Sequence, residues 1–206
     1  VTGKMPSLDA LGSAQIHAAT SGNVHFTATN DARALALVKK LLTYLPNHFQ
    51  EKPPQTLPNK KHVSSGDALL QIVPIDANKP YDMKQVIHEI VDDNSFFEVQ
   101  QDFAKNIVVG FARMNGKVVG LICNQPRYMA GSIDIDASDK AARFIRFCDS
   151  FNIPLITFED VTGFFPGIQQ EHGGIIRHGA KILYAYSEAT VPKVTVILRK
   201  AFGGAY

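Results

Sequence analysis

The sequence predicts an α/β chain whose sheet contains parallel pairs joined by helical crossovers. Three observations carry this expectation. Two Val/Ile-rich runs, 106–113 and 117–123, flank Asn115-Gly116, the dipeptide most strongly tied to a two-residue β-hairpin. Two further apolar runs, 154–158 and 193–198, read as short strands of the buried type. Helical patterns over 139–151 and 173–189 alternate with those strands, and strands separated by helices pair in parallel through crossovers.

Upstream, residues 7–19 carry Leu8, Leu11, Ala14 and Ile16 at weakly helical spacing, and Ser21-Gly22-Asn23 breaks the pattern. Asn30 or Asp31 is placed to cap a helix running to about Tyr44. Its stripe is Leu35, Leu37, Val38, Leu41 and Leu42. Lys39-Lys40 sit at the favourable end of the helix dipole, and Pro46 stops it. From 46 to 66, Pro46, Pro53, Pro54 and Pro58 alternate with polar residues, as in an extended linker. A domain boundary is expected in this stretch. Asp82 caps a short helix through Val91, with Met83, Val86, Ile87 and Ile90 on one face, and 95–99 reads as a strand. Ser138 is the expected cap of the 139–151 helix, whose apolar face is Ala142, Ile145, Phe147 and Cys148. No internal repeat is visible.

Of 206 residues, 45% are hydrophobic, enough for a substantial core. A formal net charge of +2 argues against nucleic acid or an acidic membrane as partner. The nearest basic run, Lys60-Lys61-His62, reads as a solvated loop. No run is long and apolar enough to span a bilayer, and no signal peptide opens the chain. Cys123 and Cys148 fit no zinc spacing and read as buried thiols of a reducing compartment. A start at Val1-Thr2-Gly3 and an end after Gly-Gly lead us to expect an internal piece of a longer polypeptide. The chain has no P-loop, GxGxxG, HExxH or GxSxG pattern. Its seven histidines are scattered, and His17, His25 and His88 read as structural or surface residues.

Three segments could carry chemistry. The first, 160–167 (DVTGFFPG), follows a strand. Gly163 and Gly167 would let backbone approach a ligand, with Phe164 and Phe165 as a wall. A tight turn covering the sheet edge is the alternative. The second, 169–181, could present Arg177 and Lys181 to a common partner, or could be a close-packed helix with solvated charges. The third, 199–206 (RKAFGGAY), ends a strand in glycines where a helix is expected to begin. Its free N–H groups could hold developing negative charge. Ordinary turn glycines at a helix start are the alternative.

DVTGFFPG, GGIIRHGAKILYAYSEATVPKVTV and RKAFGGAY together resemble the C-terminal half of acyl-CoA carboxylase carboxyltransferase subunits, of the propionyl-CoA carboxylase beta chain type. So do 105–113 and 144–149. Upstream, Val1-Thr2-Gly3, Leu11-Gly12-Ser13-Ala14, His17, Ser21-Gly22 and Tyr44-Leu45-Pro46 resemble the end of the family's N-terminal half. The likeness covers nearly the whole chain and is weakest in the linker. Thr162 departs from it where proline is usual, and Ser13 where glycine is usual.

The resemblance implies a crotonase-like (ClpP/crotonase) spiral of ββα units, with parts of two such domains present: a domain tail at 1–45, a linker at 46–80 and the front of a second domain at 81–206. It implies carboxylate transfer from carboxybiotin to the α-carbon of a short acyl-CoA, propionyl-CoA first, with enolate-like charge held by backbone oxyanion holes. The catalytic residues would be Gly204, Ala205, Gly163 and Phe164, and the biotin-binding residues Gly203, Gly204, Ala205 and Gly167. Biotin would arrive on a separate carrier, and no metal is implied. Partners would be the biotin carboxyl carrier, a biotin carboxylase subunit and further copies of the same chain in a hexamer. The cytoplasm, or the mitochondrial matrix in a eukaryote, would be its compartment. A biotin-dependent decarboxylase of the methylmalonyl-CoA type is the rival within enzymes. A non-catalytic interaction domain keeping the fold is the rival outside them.

Overall fold

One mixed sheet organises the chain, with its five strands side by side in sequence order. The computed structural model describes residues 3, 5–59 and 66–206. Val1, Thr2 and the run Lys60-Lys61-His62 lie outside the described residues. Strands β1 (Phe97–Val99), β2 (Ile107–Met114) and β3 (Lys117–Asn124) are antiparallel. Strands β4 (Leu155–Val161) and β5 (Lys193–Ala201) continue the sheet in parallel. The expected hairpin is there. Asn115 and Gly116 both take positive φ, 52° and 78°, the twist a two-residue turn needs. The Asp92 carboxylate accepts from both turn amides, at 2.9 and 2.7 Å.

β2 and β3 alternate between two apolar layers. Val109, Phe111 and Ile122 face one side, where α6 (Ile135–Ser150) and α8 (Ile175–Glu188) pack with Phe144, Ile145, Cys148 and Ile182. Val108, Ala112 and Leu121 face the other, under the helix Met83–Ile90, which buries Met83, Val86 and Ile87 behind its Asp82 cap. Being covered on both faces explains why these strands read as continuous apolar runs. The N-terminal segment forms short helices at Leu8–Gly12 and Ala14–Ala19, then a longer one at Asp31–Leu42 capped by Asn30. It joins the first layer through Tyr44, whose ring stacks on Phe97 and Phe111 and whose hydroxyl donates to Ser95 O at 2.6 Å.

Several elements differ from expectation for physical reasons. The 7–19 pattern splits because Ser13 ends one helix and caps the next. Of the stripe on Asp31–Leu42, Leu37 and Leu41 pack on the core, while Leu35, Val38 and Leu42 are exposed. A short helix, Gly66–Ile72, stands inside the stretch expected to be linker. α6 begins four residues before the position expected from a Ser138 cap. Asp134 accepts from Ala137 N at 2.9 Å and is the true cap, and the Ser138 hydroxyl turns back to donate to Asp134 O. The helix expected over 173–189 is preceded by α7 (Ile168–Gly173), with left-handed Gly174 between the two. β5 is not a buried strand. Among the described residues it pairs with β4 alone, and Val194, Val196 and Ile197 are exposed.

Lys140 of α6 fixes the approach to β2. Its side chain is buried, and Nζ donates to the carbonyls of Gln100, Phe103 and Ile107 at 3.0, 2.7 and 2.8 Å, with Ala104 O at 3.3 Å. Burial pushes the amine down to about 7. A neutral amine has only two N–H groups for these carbonyls, so the arrangement calls for the ammonium. Gln100 also reaches Gly22 O, so the cage links α6 to the N-terminal segment. Replacing Lys140 by Met should strand buried carbonyls and cost about 3 kcal/mol. Urea unfolding reads this directly, and an unchanged midpoint would show that the loop stands without the ammonium.

Candidate functional site

β4 and β5 run parallel, so both carboxyl ends open onto one edge of the sheet, where loops can present free backbone groups. The two expected glycine segments leave from these ends and touch. Phe202 N donates to Val161 O at 3.3 Å. Phe202 O lies 3.9 Å from where a Cβ would stand on Gly163.

The first turn is held firmly. Gly163 has φ 125°, a conformation side chains rarely adopt. Its carbonyl accepts from Ile133 N at 3.0 Å, and Phe165 N donates back to Ile133 O at 2.8 Å. This parallel bridge between Ile133 and Phe164 leaves the N–H of Phe164 without a hydrogen bond among the described residues. The Phe164 ring is seated against Gly179 of α8, where a Cβ would stand 2.7 Å from ring carbons. Alanine does not fit there.

The second turn is open. Gly203–Ala205 forms one 3₁₀ turn, with φ 68° at Gly203. An i→i+3 turn leaves its leading N–H groups, those of Gly203 and Gly204, without partners inside it. Both residues are exposed, and nothing lies within 4 Å of where their Cβ atoms would stand. An approaching oxygen therefore meets no side chain. Gly163 and Phe164 on one turn, and Gly203, Gly204 and Ala205 on the other, leave the sheet at this same edge, where the turns touch through Phe202. Gly167 does not join them by any hydrogen bond among the described residues. It sits on the exposed turn into α7, with φ 135°, and its carbonyl accepts from Glu171.

The second expected segment, 169–181, is structural in its charges. Asp139 of α6 receives Lys181 at 2.6 Å and His178 Nδ1 at 3.0 Å. Burial opposes ionisation of Asp139, but these two partners hold its carboxyl below its usual range. Arg177 folds back beside Gly174 and His178. His17 bonds Ser21, and His88 packs its edge on Phe96. Cys123 and Cys148 are buried, and burial pushes the Cys123 thiol up to about 12. No cluster of His, Cys, Asp or Glu among the described residues is arranged to hold a metal ion. No described helix is long and apolar enough to cross a membrane.

Residues not marked out by the sequence support the site. Asp160, at the end of β4, is fully buried and receives Arg199 Nε at 2.8 Å. Ser132 Oγ lies 2.6 Å from Thr162 Oγ1. Glu159 is 5% exposed and faces a cavity of about 590 Å³ between the sheet and α8, lined also by Ile182, Tyr186 and Ala205. Among the described residues its Oε1 has no hydrogen-bond partner, and burial raises its pKa.

A family model described as the carboxyl transferase domain matches residues 1–206. The chain is 57% identical over 206 residues to a putative propionyl-CoA carboxylase beta chain of Bacillus subtilis, covering 100% of this chain and 40% of the relative. It is 52% identical, with the same coverage, to the methylmalonyl-CoA decarboxylase subunit alpha of Veillonella parvula. Among solved structures, a transcarboxylase 12S hexamer with hydrolysed methylmalonyl-coenzyme A bound superposes with a TM-score of 0.96 at 56% identity. That match covers 100% of this chain and 40% of the other. The chain thus spans about 40% of the length of the relatives it matches. The fold is α/β of the crotonase-like type, with a mixed five-stranded sheet.

Glu159 yields a pH-dependent prediction. Its folded pKa is raised, so below the unfolded value both states are protonated and burial costs little. As pH rises through that value only the unfolded state ionises freely, and stability falls. Glu159→Met should therefore stabilise the chain at pH 7 by about 1–3 kcal/mol, and by much less at pH 4. Denaturant curves at the two pH values check this. An equal gain at both would mean that ionisation of Glu159 is not the cost.

Proposed function

Because the chain belongs to the carboxyl transferase domain family, we propose that its two glycine turns form the biotin side of a carboxyl-transfer site. In this reading the N–H groups of Gly203 and Gly204, with those of Gly163 and Phe164, hold the ureido oxygen of biotin, while Ala205, expected as a donor from the sequence, spends its N–H on closing the 3₁₀ turn. Biotin supplies the carboxylate when it is bound on its carrier. The acceptor is the α-carbon of a short acyl-CoA, propionyl-CoA first.

One observation carries the reading. Two turns leave adjacent parallel strands at one edge, each with backbone N–H groups that no described residue accepts, and space is open in front of Gly203 and Gly204. A planar, oxygen-bearing group fits such a cradle, and any side chain at either glycine would fill it. Donors fixed before charge develops do not reorganise when it appears, and each is worth roughly 3 kcal/mol by comparison with other oxyanion holes. The 3₁₀ geometry makes Gly203 and Gly204 the leading donors of their turn. Gly167 has a lesser part here, since it stands on the turn into α7.

Propionyl-CoA as acceptor is supported by the 57% identity to the carboxylase beta chain. The 52% identity to a decarboxylase subunit supports the reverse transfer almost as well. The same donors serve both directions, because they recognise an oxygen common to the two. A separate biotin carrier, a biotin carboxylase subunit and further copies of the chain complete the proposed assembly. The hexamer of the transcarboxylase 12S is the pattern for its copy number.

The test uses the assembled carboxyltransferase that contains this chain. Gly204→Val should cut turnover by on the order of 10²-fold, while acyl-CoA affinity stays near normal. His172→Ala and His178→Ala should change the chemical step little. Normal turnover in Gly204→Val, or lost acyl-CoA binding with biotin handling intact, would overturn the assignment.

A further inference from the structure

Thr162 stands immediately before Gly163, at the position where the resemblance leads one to expect proline. The structure gives its hydroxyl a partner, Ser132 Oγ, at 2.6 Å. We infer that Thr162 and Ser132 form a positioning pair that sets the direction of the Phe164 N–H. The inference rests on the reading of Gly163–Phe164 given under Proposed function.

Ser132 is a fixed post. Its side chain is buried, its N–H donates to Met129 O at 2.9 Å, and its carbonyl accepts from Asn106 Nδ2 at 2.8 Å. The same amide of Asn106 reaches Asp134 Oδ1 at 3.1 Å, and Asp134 caps α6. Ser132 is thus tied both to the entry of β2 and to the start of a 16-residue helix.

The 163–165 strip hangs on Ile133 by two hydrogen bonds, Ile133 N to Gly163 O and Phe165 N to Ile133 O. Two bonds to one residue define a line, and the strip can still tilt about it. The Phe164 ring against Gly179 restrains one side of that tilt. The Thr162–Ser132 bond is a third point, just upstream of Gly163, and it closes the remaining freedom. Glycine at 163 makes this necessary, because it places no steric limit of its own on the backbone.

Proline would meet the same demand in another way. It fixes φ by its ring and removes one N–H. The N–H of Thr162 makes no hydrogen bond among the described residues, so a ring there sacrifices none. A hydroxyl pair and a pyrrolidine ring are then alternative restraints on the same turn. A small misdirection of a donor is enough to lower turnover without loosening the fold.

The experiment is a double-variant cycle in the assembled carboxyltransferase: Thr162→Val, Ser132→Ala, both together, and Ser132→Ala in a Thr162→Pro background. Thr162→Val keeps the side-chain shape and removes only the hydroxyl, so the chain stays folded. Each single variant should lower kcat about tenfold with KM for acyl-CoA unchanged, and the thermal midpoint should move by no more than about 3 °C. The double variant should be no worse than either single, because one bond is lost in all three. Proline at 162 should rescue turnover and make Ser132→Ala silent. Normal kcat in Thr162→Val would overturn the inference. So would losses that multiply in the double variant, or a loss that tracks KM or the thermal midpoint. If Thr162→Val is normal while Gly204→Val is inactive, only the positioning role falls. If both are normal, the oxygen site itself falls.

Discussion

The buried carboxylate of Asp160 is the constraint on which the site edge depends. A charge removed from water must be met in place or the fold loses several kcal/mol. Arg199 Nε meets Oδ2 at 2.8 Å, while Lys200 offers its N–H to Oδ1 at 3.3 Å and its ammonium at 3.8 Å. Neighbouring residues on a regular strand point to opposite faces. Both can serve one carboxylate because β5 is out of register here: Glu159 pairs with Ile197 and Val161 with Ala201, so β5 spends two extra residues. Such an irregularity re-aims side chains at the end of a sheet. Arg199 continues to the carbonyls of Pro74, Asp76 and Lys79 and lies over the Tyr81 ring, while Lys200 reaches Ala77 O. Asn124, the last residue of β3, accepts from Asp160 N. One residue therefore ties together the ends of three strands and the 74–81 approach, β3 through its N–H and the rest through its carboxylate. Both glycine turns start within three residues of this knot.

The fold was legible in the sequence wherever the determining forces are local. Asn115-Gly116 needs only its own backbone preferences to make the hairpin, and apolar runs separated by helices leave little choice but parallel crossovers. Boundaries were less legible because caps compete. Asp134 and Ser138 can both start α6, and what selects Asp134 is that Asn106, 28 residues away, also bonds it. Nothing in the sequence pattern around Lys140 marks it as buried. It is buried because a loop 33–40 residues upstream turns its carbonyls inward, which no periodicity announces. β5 misled in the opposite direction, since an apolar strand reads the same whether or not a second neighbour covers it.

The candidate site divides in the same way. Its glycines were visible because special φ values demand them, and Gly163 and Gly203 do occupy that region. The sequence could also place the two segments at one edge, since both follow parallel strands. The supporting side chains were not visible. Ser132 and Thr162 are 30 residues apart, and Asp160 and Arg199 are 39 apart. Each of these residue types is common on surfaces. Only the packed structure shows that they meet. Arg177 and Lys181 had the spacing of a binding pair, yet Lys181 is committed to Asp139 on the adjacent helix.

The two arms of the site differ in stiffness, and this bears on how backbone donors can discriminate. The Phe164 arm is fixed by two hydrogen bonds, a ring in a notch and a hydroxyl pair, so its N–H direction is set before any ligand arrives. The Gly203–Ala205 arm is an exposed single turn, anchored upstream at Lys200 and at the Phe202–Val161 bond. A donor that is already aligned contributes fully when charge develops, whereas one that must be ordered gives back part of its gain as lost conformational entropy. In the proposed site the stiff arm would define where the oxygen sits, and the open arm would close on it. That division requires the stiff arm to be supported by residues with no chemistry of their own. On the proposed reading, it would give a threonine hydroxyl and a serine on a separate segment a part in the working geometry of a site built from main-chain groups.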